Sequence, residues 1–251
     1  MAATESHVLR RRGLLTSTTA ALLATASGSP VLARTIKDQL PWAPEAGEPP
    51  EQVRPGPWVF FTPEEGAAVE AIVDRIIPPD DLGPGGKDAG CAVFIDRQLA
   101  GPYGRMAGLY MQPPFAQGTP QQGLQSPDSF ADIYRAGLAA LADHVHQVYV
   151  GKLLGQLPPG EQDTILSGLE KGDITLKGTD GKRFFGQVLT NTMEGYFADP
   201  VYGGNKDMAG WKLVGFAGAR YDYRDYIERY GETYPLPPVG ISGRPEWTVK
   251  G

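Results

Sequence analysis

Apolar residues in this chain recur at helical spacing, and no stretch alternates apolar and polar residues at period two long enough to demand a sheet. The clearest case is FFTPEEGAAVEAIVDRIIPPDD, residues 60–81. Thr62 offers a hydroxyl N-cap, Pro63 is preset for the first helical position, and Glu65 completes a capping box. Val69, Ile72, Val73, Ile76 and Ile77 follow on one face, and Pro78-Pro79 stops the run. This predicts a buried helix over 63–77. Further helices are predicted over 91–99, about 127–144, 158–169 and about 183–198. Their inward residues include Phe130, Tyr134, Leu138 and Leu141, then Ile165, Leu166 and Leu169, then Phe184, Phe185, Val188, Leu189, Thr192 and Tyr196. The chain's 33 Gly and 23 Pro cut it into short elements. The expected class is mainly α: a loop-rich helical domain over 59–218, with long aromatic and Pro-rich loops and an extended C-terminal tail over 219–251.

The first 33 residues have the form of a removable leader. Arg10, Arg11 and Arg12 precede a weakly apolar stretch, residues 13–26, and small residues flank a cut after Ala33. Arg11-Arg12-Gly13-Leu14-Leu15 fits a twin-arginine export signal, a route taken by proteins already folded; the alternative is an ordinary secretory signal with an extra arginine. Export would place the mature chain in the periplasm. Loss of the leader takes the formal charge from −6 to −8. An acidic chain without basic runs is a poor partner for nucleic acid or anionic lipid. Residues 34–58, rich in Pro, Glu and Gly, read as an exposed linker or arm that lies on a partner.

Cysteine and histidine usage excludes much redox and metal chemistry. One cysteine, Cys91, forms no internal disulfide, cysteine-ligated iron–sulfur cluster or covalent c-type haem. It is buried and inert, free and reactive, or bridged to a partner. His144 and His146, two residues apart, point to different faces of a helix and make a poor zinc pair. Gly83-Pro84-Gly85-Gly86 lacks a preceding strand and carries Asp88 at the third glycine position, so it is no dinucleotide fingerprint; Gly86-Lys87 and Gly181-Lys182 are no phosphate loops. No catalytic, cofactor or metal residue is assigned. Residues 101–127 form a long loop with Tyr103, Tyr110, Met111 and Phe115, either a contact surface or a self-packed loop.

The stretch ADPVYGGNKDMAGWKLVGFAG, residues 198–218, carries the most information. Asp199-Pro200 and Gly203-Gly204-Asn205 mark turns, and Gly210 lets backbone approach Trp211. It reads as a tight loop, one that either lines a pocket or presents Trp211 to a partner. Asp199-Pro200, Tyr202-Gly203-Gly204-Asn205, Asp207, Gly210-Trp211-Lys212, Gly215 and Gly218 resemble the small-subunit (subunit 3, or gamma) family of gluconate 2-dehydrogenase and related flavin-dependent sugar and polyol dehydrogenases. The helix at 63–77 and its following loop, FIDRQLAG (94–101) and GEQDTILSGLEKGDI (160–174) are similar to the family too, so the likeness spans about 58–238 and the leader. Ala217 stands where the family has Pro, and Pro158 where a Ser cap is usual.

The resemblance implies a membrane-associated, three-part oxidoreductase acting on gluconate or a related sugar. A large subunit holds FAD, and a multihaem cytochrome c subunit takes the electrons on towards quinone. The small subunit holds no redox centre and supports maturation and export of the flavoprotein through the twin-arginine machinery. The candidate residues, for a partner interface or for structuring the loop, are Tyr202, Asn205, Asp207 and Trp211, with Tyr223 and Tyr226 in the tail. Two rival readings stay open. Trp211 with Asn205, Asp199 and Asp207 suits a periplasmic sugar-binding module, although turn chemistry favours the reading in which these residues structure the loop. A stand-alone hydrolase would need a nucleophile and base, and Gly240-Ile241-Ser242-Gly243 misses the nucleophile-elbow spacing by one residue.

Overall fold

The computed structural model describes residues 50–116, 118–220 and 222–243. Arg11, Arg12, the leader and most of the 34–58 arm lie outside these residues. Within them are six α-helices, several single 3-10 turns and two isolated β-bridges, with no strand. The chain is mainly α.

Helix α1 (Pro63–Ile76) begins as its capping box requires: Thr62 Oγ1 accepts from the Glu65 N–H at 3.2 Å and Glu65 Oε2 accepts from the Thr62 N–H at 2.8 Å. It stops one residue short of the expected end, with Ile77 as C-cap ahead of the two prolines. Helix α2 (Cys91–Ala100) follows a Gly90 held at φ +82°, where a Cβ would lie 2.6 Å from the Gly203 carbonyl oxygen. The upstream glycines that mimic a nucleotide loop have a packing task. A Cβ on Gly86 would meet the Val73 carbonyl oxygen at 2.3 Å, so glycine there lets the loop lie against α1.

Helix α3 (Phe130–Val148) starts and ends later than the expected 127–144. Ser129, not the residues around Pro127, closes a capping box with Asp132, and buried Val145 carries the helix a further turn onto the core. His144 is half-buried and His146 exposed on either side of Val145. Helix α4 (Pro159–Lys171) has Pro158 as an N-cap without a side-chain bond and ends on Gly172 at φ +83°. Helix α5 (Gly181–Phe197) begins two residues before the expected start because Asp180 accepts from the Arg183 N–H at 3.0 Å.

Helix α5 is the axis of the fold and packs on α1, α2, α3 and α4. The core is one cluster of side chains around Ile72, Ile95, Tyr134, Leu141, Leu169 and Phe184. Gly137 in α3 faces the Phe184 ring, where a Cβ would sit at 2.2 Å, so this glycine sets the α3–α5 approach. Arg75 of α1 grips Asp163 of α4 through Nε and Nη2 at 2.7 and 2.8 Å.

The described end of the 34–58 segment lies on this chain itself. The Val53 N–H donates to the Val201 oxygen at 2.9 Å and Gln52 Nε2 to the Pro200 oxygen at 3.2 Å. Fully buried Asp96 accepts from the N–H groups of Val59, Phe60 and Phe61 at 2.9 Å each, and its neighbour Arg97 pairs with it. The 101–127 loop divides. Tyr103 stacks on Phe130 at 4.7 Å and Met106 is buried, whereas Leu109 and Tyr110 stand exposed.

Candidate partner-binding surface

A helix leaves its last carbonyls without partners, and the end of α5 solves this through the loop that follows. Trp211 Nε1 donates to the Phe197 oxygen at 2.8 Å, and Asn205 Nδ2 to the Ala198 oxygen at 2.8 Å. Asn205 Oδ1 then accepts from the Gly210 N–H at 2.8 Å. Two glycines make the fit possible. A Cβ on Gly204 would lie 2.2 Å from the Gly195 oxygen, and one on Gly210 would lie 2.2 Å from the Tyr196 oxygen. Asn205, Asp207 and Met208 all adopt positive φ, a conformation costing about 1–3 kcal/mol each for such residues. The network through Asn205 and Trp211 holds the chain there.

This geometry gives two of the candidate residues the loop-structuring role. Trp211 is 6% exposed and Asn205 fully buried, so they hold the loop to the end of α5 and present nothing to a sugar or a partner. The sugar-site reading built on Trp211 falls. The stretch is not wholly a loop either: residues Ala209–Val214 form a short helix, α6. Tyr202 and Asp207 are exposed on the same stretch.

The loop also gathers the rest of the chain. Asp199 Oδ1 accepts from the Val201 N–H at 3.0 Å, and its other oxygen accepts from the Ile241 N–H. The Lys206 N–H reaches the Ala89 oxygen at 3.0 Å. Ala217 and Ala219 bracket a bridge to Val239, with the Ala219 N–H donating to the Val239 oxygen at 2.7 Å. Residues 50–53, the α1–α2 loop and the far end of the described tail all meet here.

The tail folds back on itself, where its sequence suggested aromatics free to pack on something else. Tyr223 donates to the Gly218 oxygen at 2.9 Å. The rings of Tyr223 and Tyr226 lie 5.8 and 4.7 Å from that of Tyr234. Arg220 lies over Tyr234 and Arg229 over Tyr226, at 5.1 and 4.9 Å.

Exposed on the 198–218 stretch, beside Tyr202, Lys206, Asp207 and Lys212, are three apolar side chains not singled out from sequence. Leu213 is 45%, Val214 60% and Phe216 48% exposed, and Leu82, 76% exposed, shares a cleft with Leu213. The signal available was length: α6 has six residues, and one buried face takes Gly210 and Trp211 and leaves Leu213 and Val214 outside.

Titratable groups elsewhere serve packing. Cys91 is fully buried and its thiol is pushed up to about 12 by desolvation. Burial also raises Tyr103 and Tyr134, whose hydroxyls meet Asn191 at 2.6 and 3.0 Å. Among the described residues no group of three or more His, Cys, Asp or Glu could hold a metal ion. No described helix is long and apolar enough to cross a membrane.

The sequence model of the gluconate 2-dehydrogenase subunit 3 family matches residues 63–218. The chain belongs to that family. The matched span runs from the first residue of α1 to the bridge at Gly218, and so takes in the whole carbonyl-capping loop. As a subunit family, it implies partner subunits. Neither curated proteins nor solved structures yield a significant match.

Proposed function

We propose that this chain is the non-catalytic small subunit of a membrane-associated, FAD-dependent gluconate 2-dehydrogenase-type complex that oxidises gluconate or a related sugar. It binds the flavin-carrying large subunit, supports its maturation, and carries it through the twin-arginine pathway as a folded pair. A multihaem cytochrome c subunit takes the electrons on to quinone. The observation that carries this reading is the family match over residues 63–218.

The chain's contribution is binding. Flavin chemistry belongs to the cofactor, and a protein supplies the fold that holds it. A subunit that binds only the folded, loaded flavoprotein stabilises that state by mass action, by about 2.7 kcal/mol at a hundredfold excess over Kd. Export of folded cargo then lets one leader serve two chains, and the leader here carries Arg11-Arg12.

The test is to tag the chain at its C-terminus in its native host and purify it gently from the membrane fraction. Gel bands, an absorbance spectrum and dye-reducing activity on gluconate are then recorded. The reading expects a larger flavin-bearing chain and a haem protein in the same fraction. Changing Arg11 and Arg12 to Lys is expected to strand both this chain and the flavoprotein in the cytoplasm. A colourless, solitary, stable monomer in the periplasm would sink it.

A further inference from the structure

We infer that the 3-10 turn Pro200–Tyr202, with its cap Asp199, is a clasp that couples the arm at residues 52–53 to the tail at residues 239–241, so that neither opens without loosening the other. The inference is independent of the subunit reading above and rests on contacts within this chain. Two consecutive peptide units carry it. The oxygen of the Pro200–Val201 unit accepts from Gln52 Nε2 at 3.2 Å, and the N–H of the same unit, that of Val201, donates to Asp199 Oδ1 at 3.0 Å. The oxygen of the next unit, that of Val201, accepts from the Val53 N–H at 2.9 Å, and its N–H, that of Tyr202, donates to the Asp199 backbone oxygen at 3.0 Å. The second carboxylate oxygen of Asp199 accepts from the Ile241 N–H.

A chain of hydrogen bonds thus runs from Gln52 through one peptide plane and one carboxylate to Ile241. The plane is rigid, so a rotation that frees its oxygen also swings its N–H away from Asp199. Bonds linked in this way polarise one another and are lost together. Side chains hold the two segments against the turn. Val53 lies on Gly203, where a Cβ would meet Val53 Cγ1 at 2.7 Å and Val93 of α2 at 3.3 Å. Val201 is buried beneath. On the tail side a Cβ on Gly240 would come within 3.2 and 3.3 Å of the two Asp199 carboxylate oxygens, and buried Val239 exchanges hydrogen bonds with Ala217 and Ala219.

The clasp can open while the core stays shut. Arg54, Pro55, Gly56 and Pro57 stand exposed between it and the N–H groups of Val59, Phe60 and Phe61 that Asp96 holds. The consequence is a relay. A force or a partner that draws on residues 52–53 weakens the hold on residues 239–241, and release of the tail weakens the hold on the arm by the same factor. In sequence the arm stands between Arg11-Arg12 and the helical domain, so the relay links the leader side of the chain to its tail without passing through the packed helices.

The experiment measures hydrogen exchange at single N–H groups of the full chain in wild type, Val53→Pro and Asp199→Ala. Val53→Pro removes the donor to Val201 and leaves Asp199 and Ile241 in place. Exchange at Ile241 is expected to rise about fivefold in Val53→Pro, the weight of one ordinary hydrogen bond, and exchange at Val53 by a similar factor in Asp199→Ala, with Phe61 unchanged in both. Val53→Ala keeps the N–H and removes only the packing on Gly203; it is expected to raise exchange at Ile241 as well, and it decides if the proline variant does not fold. Independent attachments would leave Ile241 at its wild-type rate when Val53 is changed, or Val53 at its wild-type rate when Asp199 is changed, and either result overturns the clasp. A rise at Ile241 that in Val53→Ala extends to Phe61 overturns it too, because the whole domain is then opening.

Discussion

Asp96 and Asp199 each fasten one end of the described chain, but at different depths. Asp96 lies fully buried in α2 and accepts from three consecutive N–H groups, at Val59, Phe60 and Phe61. Phe61 is itself a core residue. Asp199 is half-buried and accepts from Val201, two residues on, and from Ile241 at the far end of the described tail. The first tie is part of the core and the second is a strap laid over it. The beginning of the helical domain cannot come loose without exposing apolar surface and orphaning buried donors. The tail can.

The largest expected effect is Asp96→Ala. It leaves three backbone donors and the Arg97 guanidinium without their acceptor, for a loss of about 3–5 kcal/mol in urea unfolding. If Asp199→Ala cost as much, the contrast between core tie and strap would fail. Next comes Trp211→Phe. It keeps most of the buried volume but removes the donor to the Phe197 oxygen, and should cost about 1–2 kcal/mol. Asp199→Ala itself should cost about 1 kcal/mol globally. Its clearest readout is hydrogen exchange, with faster exchange at Ile241 and Ala219 and little change at Phe61.

Cys91 sharpens the same contrast from the core side. The thiol is fully buried at the first residue of α2, and its pKa of about 12 leaves almost no thiolate at neutral pH. A thiol reagent should label it only in denaturant, and non-reducing gels of the complex should show no bridged band. Burial removes two of the three readings its sequence left open, the free reactive thiol and the partner bridge.

What could be read in the sequence was local. The Thr62–Glu65 box and the proline stop after Ile77 act over three or four residues, and they place α1 to within one residue. The start of α3 was misplaced because Pro127 and Ser129 both announce a helix start, and only the Ser129–Asp132 pair closes a box. Asp96 was quoted within FIDRQLAG without a role, since its donors lie 35–37 residues upstream. Trp211 misled for a related reason. A tryptophan among glycines and polar residues looks presented, and the carbonyls of Phe197 and of the α5 C-cap Ala198 that claim its loop are met only once the chain has turned back on the helix end. The exposed apolar side chains are Leu213, Val214 and Phe216, two to five positions later.

The smallest effect concerns the Ser129–Asp132 box of α3, a local tie with neither the depth of Asp96 nor the reach of Asp199. Hydrogen bonds from the Ser129 hydroxyl and N–H hold the Asp132 carboxyl below its usual value. A group whose folded pKa is depressed adds stability above its unfolded pKa, near 3.9, and loses it as pH falls through the folded value. Asp132 is exposed, so solvent screening keeps that contribution small. Ser129→Ala removes both the cap and the hydroxyl bond, and should cost about 1 kcal/mol at pH 7. The difference between variant and wild type should shrink on acidification below about pH 4, when Asp132 takes up its proton in both. Parallel melting curves at pH 7 and pH 3 measure it. A gap that stays constant would assign the whole effect to the Ser129 hydroxyl capping the Asp132 N–H, with nothing from the charge.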